Sequence, residues 1–479
     1  MPSTNPTRSA TPQGAFDWPL NPISSSIRRR HTTVYALPPE ILSMVFICCL
    51  PCLNSTSHHR NDAPLVFLSV SHMWRACAIS TPQLWGALNI TQGCEPSRRR
   101  IDEWLARAKA SPLSLRLSYR EDSPALHVLA TVLRRNNLKR IEALSICLPF
   151  HNYSSIADHI NGEIPLLSTL TLEVSEKSGV GTISHTTLDF SQAPNLREVT
   201  ITVPENVTAR MLASSSVRMP WAQLTHLTVE ENALCPDNAA SILSQCINLV
   251  VCALEIGGHL GREDEAALMD FPVTVLRALH TLNIVDNGLG SSNRLSPLLR
   301  RLTLPALKSL EIEAPGMLYG RGFGRDLLNL QARSRFALES MELLFVCFKM
   351  EQLETFLHRT PSLRALRLEA RSHHCDYSRV LIGIRYIPSS AQNVLPRLQK
   401  LFVTSNSPDD GAAKQGVVDS IASRWWPNGQ HPDNHVQQNL SRLEQVFVQW
   451  RDRSFVIYKN ISRRLLDPND DSPPTYIVD

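Results

Sequence analysis

Apolar positions along this chain fall into one recurring phrase, Leu-x-x-Leu-x-Leu, with Ile or Val also found at the last place. It opens at Leu167, Leu196, Leu224, Leu249, Leu279, Leu307, Leu338, Leu363 and Leu398, and Cys252 takes the middle place of the fourth copy. Ile141 and Leu443 open two weaker copies. From the copy at 141 to the copy at 363 the starts lie 26, 29, 28, 25, 30, 28, 31 and 25 residues apart, and the last two steps are 35 and 45. The Leu-x-Leu core alternates as a half-buried strand does. Between copies the apolar spacing turns helical, over Ala125 to Arg135, Val207 to Val217, Asp237 to Cys246, Arg325 to Arg333 and Glu351 to His358. A strand and a helix per period predict stacked units sharing a parallel sheet. Ser111 to Leu117 has the pattern of a strand that begins the array, with Ile101 to Ala110 as the helix before it. Residues 404–438 break the period, with a polar turn (Ser405 to Gly411), a helix (Ala412 to Trp426) and a loop (Pro427 to His435).

Residues 37–88 follow another pattern. Pro38 and Pro39 suit a first helical turn, where N–H groups have no partner, and Glu40 lies near the positive end of the helix dipole. Ile41, Leu42, Val45, Phe46 and Cys49 follow at helical spacing as one stripe, and Pro51 ends the helix. After a polar loop over 53–63, a second helical stretch carries Leu65, Val66, Leu68, Val70, Trp74 and Ala78. Thr81 is a candidate N-cap and Pro82 a first-turn residue for a short turn holding Leu84 and Trp85. About fifty residues are few to bury a core, so an apolar partner surface is expected.

Leu-Pro-x-Glu-Ile-Leu, a gap, then Val-x-x-x-Trp-Arg and Leu-Trp is similar to the F-box, the helical module that docks the Skp adaptor of a Skp–cullin–F-box ubiquitin ligase. Ser71 departs from the family, which often has Cys there, and the polar gap after Pro51 is longer than usual. The rival reading makes Trp74 and Trp85 core residues of an ordinary helical cap. The resemblance implies an adaptor contact through Leu37, Pro38, Ile41, Leu42, Leu68, Val70, Trp74 and Leu84, as anchors of a helix-in-groove contact. Spacing does not decide which of them face inward. The repeats resemble leucine-rich repeats, whose periods run over about 20–29 residues. The usual asparagine is mostly missing, although Asn232 and Asn287 fall at its place.

The expected fold is therefore α/β: an all-helical F-box over 34–90, then a leucine-rich-repeat solenoid with a curved parallel sheet over 91–465. Residues 1–33, rich in Pro, Ser and Thr, are expected to be a disordered tail, and 466–479 a loose acidic one. The whole resembles a fungal, basidiomycete-type F-box protein. That resemblance implies a non-catalytic receptor, bound to a cullin through the adaptor, whose repeats hold a target. A scaffold that joins no ligase is the alternative.

Forty-eight basic against 44 acidic residues leave a formal charge of +4, which gives no whole-chain argument for nucleic acid or a membrane surface. No stretch approaches the roughly 18 apolar residues of a membrane span. Arg28, Arg29 and Arg30 form a basic cluster, a nuclear signal or a solvated tail. Eleven scattered cysteines point to reduced thiols in the cytoplasm or nucleus rather than a disulfide framework. Several, such as Cys147, Cys252 and Cys347, sit in apolar runs as small hydrophobes.

The chemistry motifs are weak. Cys49 and Cys52 form Cys-x-x-Cys near His58 and His59, but no second pair follows, and core cysteine is the simpler reading. The glycine-rich run Gly320 to Gly324 lacks both phosphate-loop patterns and suits a flexible loop. His373, His374, Cys375 and Asp376 make one short cluster. No catalytic site, cofactor or metal centre is expected. The outward positions beside the Leu places hold Glu173, Glu230, Glu255, Glu311, Glu313 and Glu369, and stacked repeats would bring several into one column. A face of that kind suits a basic target; the plainer reading is solvated strand ends.

Overall fold

The computed structural model describes residues 37–51, 59–93, 96–120, 129, 132–160, 162–175, 187–202, 217–257, 273–287, 295–314, 322–346, 349–370, 376–387, 393–405, 411–424, 441–450, 456–460 and 476–477. The N-terminal tail, most of the acidic tail, Arg28–Arg30, Cys52, His58, Cys347, His373–Cys375, the loop after Trp426, residues 125–128 and 130–131 of one expected helix and 207–216 of another lie outside the described residues.

One mixed α/β sheet of 15 strands organises the chain. The first five strands are β1 (Ala87–Thr91), β2 (Leu113–Ser118), β3 (Ile141–Leu148), β4 (Thr169–Val174) and β5 (Glu198–Thr202). Next come β6 (His226–Leu234), β7 (Val251–Ile256), β8 (Thr281–Asp286), β9 (Ser309–Glu313) and β10 (Ser340–Leu344). The last five are β11 (Ala365–Glu369), β12 (Lys400–Ser405), β13 (Gln445–Trp450), β14 (Val456–Asn460) and β15 (Tyr476–Ile477). Spatial order equals chain order. β1 to β13 pair in parallel, each with the next, while β14 and β15 are added antiparallel.

The recurring phrase explains this order. Its second and third apolar places alternate on a strand, so both point into the core. In register they build rows such as Leu170, Val199, Leu227, Cys252, Leu282, Leu310, Met341 and Leu366. The opening leucine of each phrase, from Leu167 to Leu398, precedes its strand and is fully buried as well. Three buried apolar side chains per period, each contributing roughly 1.5–3 kcal/mol before entropy is counted, fix which face turns inward.

Helices cross between strands where the sequence turns from period two to period 3.6. They are preceded by α1 (Pro39–Cys48), α2 (Phe67–Val70) and α3 (His72–Ser80) ahead of the sheet. The crossovers include α4 (Arg98–Ala108), α5 (Arg135–Leu138), α6 (Tyr153–Ile160), α7 (Pro236–Gln245), α8 (Leu295–Arg301), α9 (Phe323–Ser334), α10 (Met350–His358), α11 (Ser378–Gly383) and α12 (Gly411–Ser423). Helices α6, α8 and α11 are short and were not expected from spacing. Helix α8 carries a proline, Pro297, at its third residue, which masks it in a propensity reading.

Four expectations change in the N-terminal region. The second helical stretch is two helices. Ser71 breaks it with extended dihedrals of −157° and 167°, and its side chain accepts from the Trp74 N–H to cap α3. Thr81 is no cap: its hydroxyl donates to Cys77 O (2.8 Å) and meets the Ser43 hydroxyl (2.9 Å). Cys49 is exposed, not part of a core stripe. Finally, β1 begins at Ala87, inside the span assigned to the helical module, so the change to the sheet falls near Gly86. A Cβ on Gly86 would lie 2.9 Å from Pro112 O, and this close approach lets the chain enter the sheet edge. At the other end Tyr476–Ile477 pairs with β14, so part of the presumed loose tail belongs to the sheet.

The helices are continuous with the sheet core. Phe46 stacks on Phe67 at 4.2 Å between centroids and meets Trp74 at 4.8 Å. Trp85 lies edge-on to Trp104 of α4 at 5.0 Å, and its indole N–H donates to Ala78 O (2.9 Å). No helix among the described residues is long and apolar enough to cross a membrane.

Candidate interaction surfaces

Two surfaces stand out, one on α1 and one on the outward face of the sheet. Helix α1 is apolar almost all round, a composition usual for buried helices. Only Leu42 and Phe46, one turn apart, are buried in the core. Ile41, Met44 and Val45 project outward with 45%, 62% and 44% of their surface exposed. With the exposed Cys48 they occupy places i, i+3, i+4 and i+7, which is one helix face. Val70 at the end of α2 and Ile79 on α3 are exposed apolar residues too.

The eight residues expected at an adaptor contact divide three ways. Pro38, Ile41 and Val70 are exposed. Leu37, Leu68 and Trp74 are half-buried, and Leu68 and Trp74 pack against the core. Leu42 and Leu84 are corrections: both are 1% exposed and fill the core, so neither offers a surface to another chain. Spacing missed Met44 because it lies off the Leu42–Phe46 stripe. The signal was there in a helix with too many apolar residues for one buried face.

On the sheet, outward residues also run in register. The middle row reads Ser145, Thr171, Thr200, Thr228 and Ala253, then Asn283, Glu311, Glu342, Arg367, Phe402 and Phe447. Small and hydroxyl-bearing side chains fill its first half, charged and aromatic ones its second. A neighbouring row carries Glu173, Thr202 and Glu230. It resumes as Glu255, Val285, Glu313, Leu344 and Glu369. Register shifts between Val229 and Leu234 of β6, so Glu230 and Glu255 are not paired. The six expected carboxylates therefore do not form one column. Within each run they recur on every second strand, about 10 Å apart.

Several are already engaged. Thr202 donates to Glu230 (3.2 Å), and the Asn287 amide donates to Glu255 (3.2 Å). Glu173 lies beside Cys147, whose thiol is pushed up to about 11, chiefly by burial and then by this carboxylate. Arg367 Nε donates to Glu369 (2.9 Å), and its Nη1 reaches Glu342 (3.4 Å). The dense part of the face is on β9 to β11, where Glu311, Glu313, Glu342 and Glu369 share three adjacent strands with that arginine. Burial holds the Glu311 carboxyl above its usual range, and Glu342 and Glu313 push it the same way. Glu342, absent from the sequence expectation, completes the group. Beside it a cavity of about 530 Å³ opens, lined among others by Arg367, Lys400, Phe402 and Phe447.

The weaker motifs resolve as packing or surface. Cys48 and Cys49 are free and exposed. No group of three or more His, Cys, Asp or Glu among the described residues is arranged to hold a metal. Gly322 precedes α9, and Gly324 in its first turn lies so close under the Gln352 side chain that a Cβ would collide with it. That glycine serves helix packing, not a flexible loop. No protein-family model matches the chain, and no curated protein is detectably similar to it in sequence.

Proposed function

We propose that this chain is the target receptor of a Skp–cullin–F-box ubiquitin ligase, with an F-box in its first helices and a leucine-rich-repeat solenoid behind it. The observation that carries this reading is α1. One side of it is anchored in the core by Leu42 and Phe46, while Ile41, Met44 and Val45 are held out to solvent. Exposed apolar side chains at helical spacing suit a partner groove. Ile41 stands in the Leu37–Leu42 run that resembles the F-box, and Met44 and Val45 follow it on the same helix. The receptor does no chemistry: it holds a target near a ubiquitin-loaded enzyme, and the gain is one of proximity.

The acidic group on β9 to β11 supports a basic target segment, with Phe402 and Phe447 beside it as an apolar contact. Four carboxylates against Arg367 and Lys400 leave a net negative charge, of the kind that steers and selects cations.

The test is capture of a purified Skp-type adaptor by the full chain and by an Ile41→Asp, Met44→Asp variant. Capture by the first and not by the second is expected. If the intact chain with folded helices ignores the adaptor, the ligase role fails, and a repeat scaffold outside any ligase is what remains.

A further inference from the structure

A cleft of about 670 Å³ lies where α2 and α3 meet α4, away from the outward sheet face. Leu65, Leu68, Ile101 and Trp104 give it an apolar floor. Arg60, Arg75, Arg100 and Arg107 stand round it. Its volume is in the range of small-ligand pockets, about 300–1,000 Å³.

The electrostatics are one-sided. Glu103 is the single carboxylate of the lining, and Arg99, outside it, already holds that group at 3.0 Å. Among the described residues none of the four cleft arginines has a carboxylate within ion-pair distance. Two of them are nonetheless held in place. Arg75 Nε donates to Leu68 O (2.7 Å), and the Arg107 guanidinium lies 4.6 Å from the Trp85 ring centroid. Fixing a cation over an aromatic face before a ligand arrives reduces the ordering cost of binding. Among the described residues these four guanidinium groups face one lining carboxylate that Arg99 already engages, and around an apolar floor they are complementary to an anion that carries an apolar body. Their planar forks suit phosphate or carboxylate oxygens in pairs.

We infer that this cleft binds a small amphipathic anion, a phosphate or carboxylate head on an aliphatic or aromatic body, with the head among Arg60, Arg75, Arg100 and Arg107 and the body on Leu65, Ile101 and Trp104. The site bridges the helical module and the sheet, so an occupant ties the two together. The inference does not rest on the ligase reading.

The experiment titrates the purified full chain, below micelle concentrations, with decyl phosphate, decanoate, decanol and inorganic phosphate. Binding is followed by calorimetry and indole fluorescence. Saturable one-to-one binding of at least one alkyl anion is expected, with decanol and inorganic phosphate each at least about tenfold weaker. The tighter of the two alkyl anions names the head group. An Arg60→Gln, Arg100→Gln variant, both residues being exposed, is expected to keep its melting temperature and to bind about tenfold more weakly. Arg107→Gln serves as a second variant. Equal affinity for decanol, equal affinity for phosphate alone, undiminished binding by the variants, or no binding of either alkyl anion overturns the inference. Adaptor capture, measured separately, uses neither α4 nor Arg60.

Discussion

Glu311 and Glu342 stand directly opposite each other on the parallel strands β9 and β10. Arg367 follows in the same row on β11 and ion-pairs with Glu342, not with Glu311. Two carboxylates side by side on a sheet repel, and the cost of such a pair is about 0.2–1 kcal/mol. Burial first, and then this repulsion, hold the Glu311 carboxyl above its ordinary range. A carboxyl whose folded pKa is raised leaves full stability at low pH and lowers it as pH rises through the folded value. Glu311→Gln is expected to raise the melting temperature at pH 7 and to have no effect below the carboxyl range. Melting curves at pH 7 and pH 3 decide it; an equal gain at both would assign the effect to packing.

Arg367 is the cation that ion-pairs within that acidic group, and it is half-exposed. Surface pairs contribute about 0–1 kcal/mol, so Arg367→Gln should change stability little. It should also deepen the negative field. Under the proposed function a lysine-rich peptide binds this variant more tightly at low salt, and Glu342→Gln, Glu313→Gln more weakly. Affinity measured against ionic strength checks both directions; no change in either would remove the acidic face as a recognition element.

The two faces of α1 predict opposite phenotypes. Leu42→Ala empties a buried site and should cost about 2–5 kcal/mol. Met44→Asp alters a side chain that is 62% exposed and should stay within about 0.5 kcal/mol. Urea denaturation separates the two, and adaptor capture should be lost only through the surface in the second case.

Arg424 is fully buried at the end of α12, and its Nη2 donates to Ser441 O (3.1 Å) and Pro396 O (3.3 Å). Burial lowers its pKa to about 10. It ties the segment before β12 to the segment before β13. Arg424→Met takes this donor from Ser441 O, at about 1–3 kcal/mol, while Pro396 O still accepts from the Ser441 N–H (2.6 Å). A lower urea midpoint is expected, and an unchanged one would mean that the Ser441 carbonyl finds another donor.

Thiol chemistry should sort the cysteines by depth. Cys48 and Cys49 are exposed, whereas Cys147 and Cys246 are buried with pKa values raised to about 11 and about 12. Thiolate is the reactive form. Brief alkylation of the native chain at pH 7.5 should modify Cys48 and Cys49 and spare the other two, which mass spectrometry reads directly.

The sheet was legible in the sequence because its code is redundant. Each period repeats three buried apolar places, so every strand from β2 to β13 lies at a copy of the phrase or its variant. Strand β1 was not legible: Ala87 to Thr91 lacks the opening leucine two residues ahead and follows a helical run without a break. Helix boundaries were softer where one hydroxyl decides them, as Ser71 does by capping α3. On α1 the pattern gave the helix but not its inward side, since apolar residues occur on every side and only packing against Phe67 and Trp74 selects Phe46. Glu342 escaped because its significance lies in Glu311 and Arg367, residues 25 or more positions away that only register brings beside it.

The shift in pairing between β6 and β7 interrupts one row of the outward surface. Five residues of β6 span what two residues of β7 cover, from Val229 and Leu254 to Leu234 and Ile256. The break falls in the row that Glu230 ends and Glu255 resumes. The middle row passes in step, from Thr228 to Ala253. An extended segment laid along the neighbouring row loses step between Glu230 and Glu255, while one laid along the middle row does not.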